Sequence, residues 1–98
     1  MNVLMINGSP HKNGNTFIAL NEMDKIFRAE GIETEILHIG NQDIRGCIAC
    51  RSCAKTGKCV FNDIVNEAAP KVEKCAGLVV ASPVYYASAN ATLIAFLD

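Results

Sequence analysis

Cys47, Cys50, Cys53 and Cys59 fall in one short stretch with the spacing C-x2-C-x2-C-x5-C, leaving only Cys75 outside it. This spacing lets a single loop wrap four thiolates around one inorganic centre, and compact runs of this kind hold iron–sulfur clusters. Zinc also accepts four cysteine sulfurs, although structural zinc sites more often separate two C-x2-C pairs by a longer stretch. A third reading is a set of free thiols that hold no metal. Ala49, Ser52, Ala54 and Gly57 leave the loop unencumbered, while Arg51, Lys55 and Lys58 set positive charge beside the thiolates and favour their ionised form. The chemistry indicated is electron transfer rather than hydrolysis. No Ser–His–Asp set is visible, and Glu22, Asp24, Glu30, Glu67 and Glu73 are scattered as solvated carboxylates. Cys75, apart from the others, reads as a small buried hydrophobe.

A second constellation lies near the start, in Asn7-Gly8-Ser9-Pro10-His11-Lys12-Asn13-Gly14-Asn15-Thr16. Ser9 and Thr16 carry hydroxyl donors, Asn15 an amide, and the glycines allow close approach of the backbone. At the entrance to a helix, where free N–H groups and a partial positive charge collect, these residues suit a phosphate. The segment is neither G-x-G-x-x-G nor a Walker loop, because no Lys-Ser/Thr follows Gly14. It is equally compatible with an ordinary polar turn capped by Asn15 or Thr16. His11 reads as a solvated loop residue and His38 as a satisfied structural one. Tyr85 and Tyr86, after Ser82-Pro83-Val84, are aromatics at a strand end, suited to stacking or to ordinary packing.

The elements that must position these groups alternate. Val3–Ile6 is a continuous apolar run, as in a strand buried on both faces. Phe17, Leu20, Met23, Ile26 and Phe27 form a helical stripe, Gly31 offers the C-terminal cap, and Glu33–Ile39 alternates as a second strand. From His38 to Asp63 no periodic element is legible, and so long an irregular stretch in a compact domain signals function. Asp63 caps a helix with inner face Val65, Ala68, Ala69 and Val72, which Pro70 should kink or restart. Leu78–Ala81 is a third strand, followed by the Ser82–Tyr86 turn and a helix over Ala91–Asp98. Strand–helix–strand units of this length have right-handed crossovers and parallel strands.

With 98 residues, half of them apolar, and a formal net charge of −1, the chain is one ordinary globular unit with no electrostatic case for nucleic acid or an anionic membrane. No run approaches the about 18 apolar residues of a membrane span, and the N-terminus lacks the pattern of a signal peptide. A cytoplasmic location is expected, where clustered cysteines are ligands or redox groups rather than disulfides. Three strands and a final helix without a capping signal are expected to be the N-terminal part of a larger sheet.

G-S-P-x-x-x-G-N-T in the first loop, S-P-V-Y-Y after the third strand and the cysteine run between them together resemble the iron–sulfur flavoproteins. These belong to the flavodoxin-like family of NAD(P)H-dependent FMN reductases, and the resemblance spans essentially the whole chain. It implies an α/β fold, a flavodoxin-like doubly wound parallel sheet of order 2-1-3-4-5, truncated here to about three strands and three helices. Residues 1–98 would be a single, incomplete N-terminal domain, with 40–62 as its cluster loop. The resemblance implies that Ser9, Lys12, Asn15 and Thr16 surround an FMN phosphate and that Pro83, Val84, Tyr85 and Tyr86 line the isoalloxazine ring. Cys47, Cys50, Cys53 and Cys59 would ligate a four-iron four-sulfur cluster. Ala87 stands where relatives often carry glycine, which would crowd the backbone nearest the flavin. The implied activity is that of a flavin-dependent oxidoreductase exchanging electrons with a carrier such as ferredoxin or NAD(P)H, in a homo-oligomer. The alternatives are an NAD(P)H-dependent FMN or quinone reductase without a cluster, or a non-catalytic truncated fragment.

Overall fold

The computed structural model describes residues 1–98. Three parallel strands, β1 (Asn2–Asn7), β2 (Glu33–His38) and β3 (Gly77–Ala81), form a sheet of order β2-β1-β3. The connection out of β1 passes through helix α1 (Asn15–Ala29) to β2 on one side, and β3 returns to the other side of β1. That reversal about β1 is a switch point, outside which ligands of open α/β sheets bind. Register places Asn7 opposite both His38 and Ala81, so the carboxyl ends of all three strands share one row.

The apolar run of β1 divides between two faces. Val3 and Met5 pack with Leu20 of α1 and with Phe27, Ile32, Ile36 and Val79. Leu4 and Ile6 pack on the other face with Ile39 and Leu93, joined by Ile64 and Phe96. Helix α3 (Ile64–Lys74) and helix α4 (Ala91–Leu97) cover that second face. Asp63 caps α3 through a bond from the Val65 N–H, 3.0 Å long, as the sequence suggests. After α1 the Gly31 N–H reaches the Arg28 carbonyl and the Ile32 N–H the Phe27 carbonyl, with Gly31 at φ +77°, which closes the helix as glycine allows.

Several expectations need correction. The stretch between His38 and Asp63 contains a one-turn helix, α2 (Cys53–Thr56), so there are four helices rather than three. The turn after β3 is a hairpin of two short strands, β4 (Val84–Tyr85) and β5 (Ser88–Ala89). Helix α3 is neither ended nor restarted at Pro70 but runs from Ile64 to Lys74 through it, although proline supplies no main-chain N–H there. The N-cap of helix α1 is Gly14, with no side-chain bond to the first turn, rather than Asn15 or Thr16. Met23 and Ile26, read as part of its inner stripe, are exposed. Leu78 and Val80 of β3 are also exposed, at the open edge of the sheet.

Candidate functional site

The first loop leaves β1 at the switch point, and its opening peptide is held from four sides. The Gly8 N–H donates to the Ala81 carbonyl at 2.8 Å, and the Ser9 N–H to Asn7 Oδ1 at 3.0 Å. Asn90 Nδ2 donates to the Gly8 carbonyl, and His38 Nε2 lies 2.6 Å from the Ser9 carbonyl. Every main-chain polar group of Gly8 and Ser9 is thereby used. A Cβ built on Gly40 would lie 1.9 Å from the Ser9 carbonyl oxygen, so only glycine fits behind this peptide. Asn7 is fully buried, and its Nδ2 has no partner.

What remains to meet an anion lies farther along. Ser9 Oγ accepts the His11 N–H at 3.1 Å, while Lys12 and Asn15 are exposed and Thr16 is half-buried at the entrance of α1. With no side chain capping α1 at Gly14, the first-turn N–H groups of this helix add to Lys12 and the hydroxyls. This set fits a phosphate. The side chains of Lys12, Asn15 and Thr16 make no bond within the protein that would compete for it. His11 is exposed, whereas His38 is the structural residue expected, its partner being the Ser9 carbonyl.

The same row of strand ends carries the hairpin. Ser82 Oγ accepts the Asn90 N–H at 2.9 Å and lies 2.8 Å from Asn90 Oδ1, so one asparagine joins the two loops. Pro83 is half-buried, and Val84, Tyr85 and Tyr86 are exposed, Tyr86 completely. Tyr86 and Ala87 form the two-residue turn with φ +51° and +62°. Hairpin turns with both central residues left-handed normally use Asn-Gly, so this pair carries strain in the segment that the family resemblance implies would line a flat ring.

The cysteine loop starts where Gly40 meets Ser9. Cys47, Cys50 and Cys53 are exposed and Cys59 is half-buried, all as free thiols. Together with Ile48, Arg51, Val60 and Phe61 they line a cavity of about 50 Å³. As they stand, no three of them converge closely enough to hold a metal ion. Left-handed backbone at Gly46, Ala49, Arg51 and Gly57 folds the loop back on itself. The Ala49 N–H points at Cys47 Sγ at 3.3 Å. The Ser52 main-chain N–H and then its hydroxyl hold the Cys50 thiol below its ordinary pKa. Four soft donors on one loop suit a thiolate-ligated cluster by their chemistry, the loop having to draw them together around it. Cys75 is half-buried, donating from Sγ to the Val72 carbonyl at 3.1 Å while packing on the Leu4–Ile6 core.

Asn90, Gly40 and Asn66 were not singled out by the sequence. Asn66 holds both main-chain groups of Cys59, its Oδ1 accepting the N–H at 2.8 Å and its Nδ2 donating to the carbonyl at 3.0 Å. Asn90 could have been suspected as the residue before α4; the other two give no local signal.

The family profile described as NADPH-dependent FMN reductase matches residues 1–98. Among curated proteins, the chain is 36% identical over 98 residues to an iron–sulfur flavoprotein of Methanocaldococcus jannaschii, covering all of this chain and 51% of that protein. It is 36% identical to an iron–sulfur flavoprotein of Archaeoglobus fulgidus, covering 44% of it, and 32% identical to one of Methanosarcina thermophila, covering 51%. The chain thus spans about half the length of the curated relatives it matches. Among solved structures, RosB with bound 8-demethyl-8-formylriboflavin-5'-phosphate superimposes with a TM-score of 0.73 at 18% identity, over 96% of this chain and 40% of that one. That likeness shows the flavodoxin-like fold, and the profile match over the whole chain shows that this protein belongs to the NADPH-dependent FMN reductase family.

Proposed function

We propose that this chain supplies the FMN phosphate cradle and the cluster loop of a flavin-dependent oxidoreductase that carries a cysteine-ligated four-iron four-sulfur cluster. The observation that carries this reading is the arrangement of four free thiols around one cavity, on a loop that leaves the strand-end row directly behind the first loop. The relatives named above are iron–sulfur flavoproteins, which supports the same assignment.

In this reading Ser9, Lys12, Asn15 and Thr16 bind the phosphate, with the first turn of α1 facing it. Asn7, His38 and Asn90 hold the Gly8–Ser9 peptide so that the cradle needs no rearrangement on binding. Pro83, Val84, Tyr85 and Tyr86 offer the ring an apolar wall. Cys47, Cys50, Cys53 and Cys59 ligate the cluster, with Arg51, Lys55 and Lys58 offsetting its negative charge. Flavin and cluster, when bound, supply two-electron and one-electron chemistry, while the protein supplies position and electrostatics. Electrons would be exchanged with a carrier such as ferredoxin or with NAD(P)H.

The test is the FMN, iron and acid-labile sulfide content of the full-length protein purified without oxygen. Near-stoichiometric FMN with about four irons per chain, as for a cubane held by four cysteines, is the expected result. FMN without iron would instead leave an NAD(P)H-dependent FMN or quinone reductase whose cysteines hold no cluster. Neither cofactor would leave a non-catalytic module.

A further inference from the structure

Among the four thiols of the loop, Cys59 is set apart by how its backbone is held. Asn66, the third residue of α3, reaches back across the loop with its side-chain amide. Oδ1 accepts the Cys59 N–H at 2.8 Å, and Nδ2 donates to the carbonyls of Cys59 at 3.0 Å and Phe61 at 3.3 Å. One amide thus pairs with both polar groups of a single residue, as a neighbouring strand would. Cys47 and Cys50, in contrast, have no main-chain hydrogen bond, only Sγ contacts to Ala49 and Ser52, and Cys53 is tied only within the loop, its carbonyl accepting the Gly57 N–H at 2.8 Å. Cys47, Cys50 and Cys53 are exposed, whereas Cys59 is half-buried. Asn66 also forms part of the wall of a cavity of about 230 Å³ that Cys47, Cys53 and Cys59 line.

We propose that Asn66 is a positioning residue for the iron–sulfur cluster: by tying the main chain of Cys59 to α3, it presents that thiolate as a fixed ligand against which the other three close. The inference rests on the cluster reading above. A ligand whose backbone is already immobilised loses less conformational freedom when it binds than one on an untied loop. Groups that orient metal ligands in this way typically contribute about ten- to a hundredfold to metal affinity.

A bland alternative is that Asn66 merely stabilises the start of α3. The two roles separate on one substitution. Asparagine to aspartate at this position favours the helix, because negative charge suits its first turn. The same change sets a carboxylate oxygen against the carbonyls of Cys59 and Phe61 and breaks the clamp. Asn66→Ala removes it altogether.

The experiment compares wild-type, Asn66→Ala and Asn66→Asp full-length proteins purified without oxygen. Iron and sulfide are counted, the reduced cluster is recorded by electron paramagnetic resonance, and iron release to excess bathophenanthroline is timed. FMN content and far-UV circular dichroism are followed alongside. The expected result is iron release about ten- to a hundredfold faster in both variants, an altered resonance spectrum, and unchanged FMN and helix content. Wild-type release rates and spectra in Asn66→Asp overturn the positioning role, as do wild-type values in both variants. A wild-type protein that binds FMN but no iron overturns the cluster reading itself, and the role of Asn66 with it.

Discussion

Asn90 Nδ2 donates to the main-chain carbonyl of Gly8, joining two residues 82 positions apart. The rest of the Asn90 amide and its N–H go to Ser82, so this one side chain sets the spacing between the first loop and the hairpin. Asn90 is buried, and its replacement leaves the Gly8 carbonyl without a partner. Asn90→Ala should therefore cost about 2 kcal/mol in urea unfolding and weaken FMN binding by fluorescence titration of the full-length protein. Unchanged affinity in a destabilised variant would show that the two loops need no common tie.

Gly40 has no room for a side chain against Ser9. Gly40→Ala is expected to cost about 3 kcal/mol, the upper part of the range for overpacking. Gly31→Ala is the control, because nothing lies within 4 Å of a Cβ there and only its left-handed backbone is strained. Its cost should be about 1 kcal/mol. Equal losses in chemical denaturation would show that the wedge behind Ser9 is not tight.

Helix α1 is tied to β2 through Asp24. The Thr34 hydroxyl donates to its carboxylate, and this bond is the main cause of a lowered Asp24 pKa. Partial burial opposes the shift, and the Arg28 guanidinium 3.0 Å away adds to it. A carboxyl with a depressed folded-state pKa stabilises the fold above its unfolded value of about 3.9. That contribution is lost as pH falls through the lower, folded value. Thr34→Val should reduce stability near neutrality and flatten its decline below about pH 4. Parallel pH profiles of thermal unfolding for the two proteins would contradict this.

Loss of a ligand should separate the two cofactors. Cys47→Ala or Cys53→Ala is expected to lower iron content and slow one-electron transfer in the full-length protein, with FMN affinity largely intact. Unchanged iron in both variants would sink the ligand assignment.

The left-handed Tyr86-Ala87 turn gives a prediction in the opposite direction. Glycine adopts this backbone without penalty, so Ala87→Gly should raise stability by about 1 kcal/mol. A lower melting temperature would mean that the turn relaxes around alanine.

The sheet and three of its helices were legible because each rests on a local pattern. Val3–Ile6 is apolar on both faces, Leu20 and Phe27 follow a helical stripe, and Asp63 announces α3. Helix α2 is a single turn with no stripe to read, and the β4–β5 hairpin turns on Tyr-Ala rather than Asn-Gly, so neither was visible. Pro70 misleads as a breaker, since α3 runs on through it to Lys74. The candidate site divides in the same way. Ser9, Thr16 and the cysteines stand out by type and spacing, whereas the roles of His38, Gly40, Asn66 and Asn90 depend on partners brought near only by folding. The sequence around His38 suits a structural role, but nothing in that neighbourhood names Ser9 as its partner.

The cysteine stretch is pinned at both ends, Ile44 packing on the Leu4–Ile6 core near its start, and from Cys47 to Lys58 its hydrogen bonds run only within itself. Gly40 is wedged against Ser9, and Asp63 caps α3, with Asn66 adding its hold on Cys59. Each anchor belongs to the scaffold rather than to the stretch it delimits. The segment is therefore an exchangeable cassette: a shorter connection between the same anchors would remove the thiols while leaving the phosphate cradle and the sheet as they are.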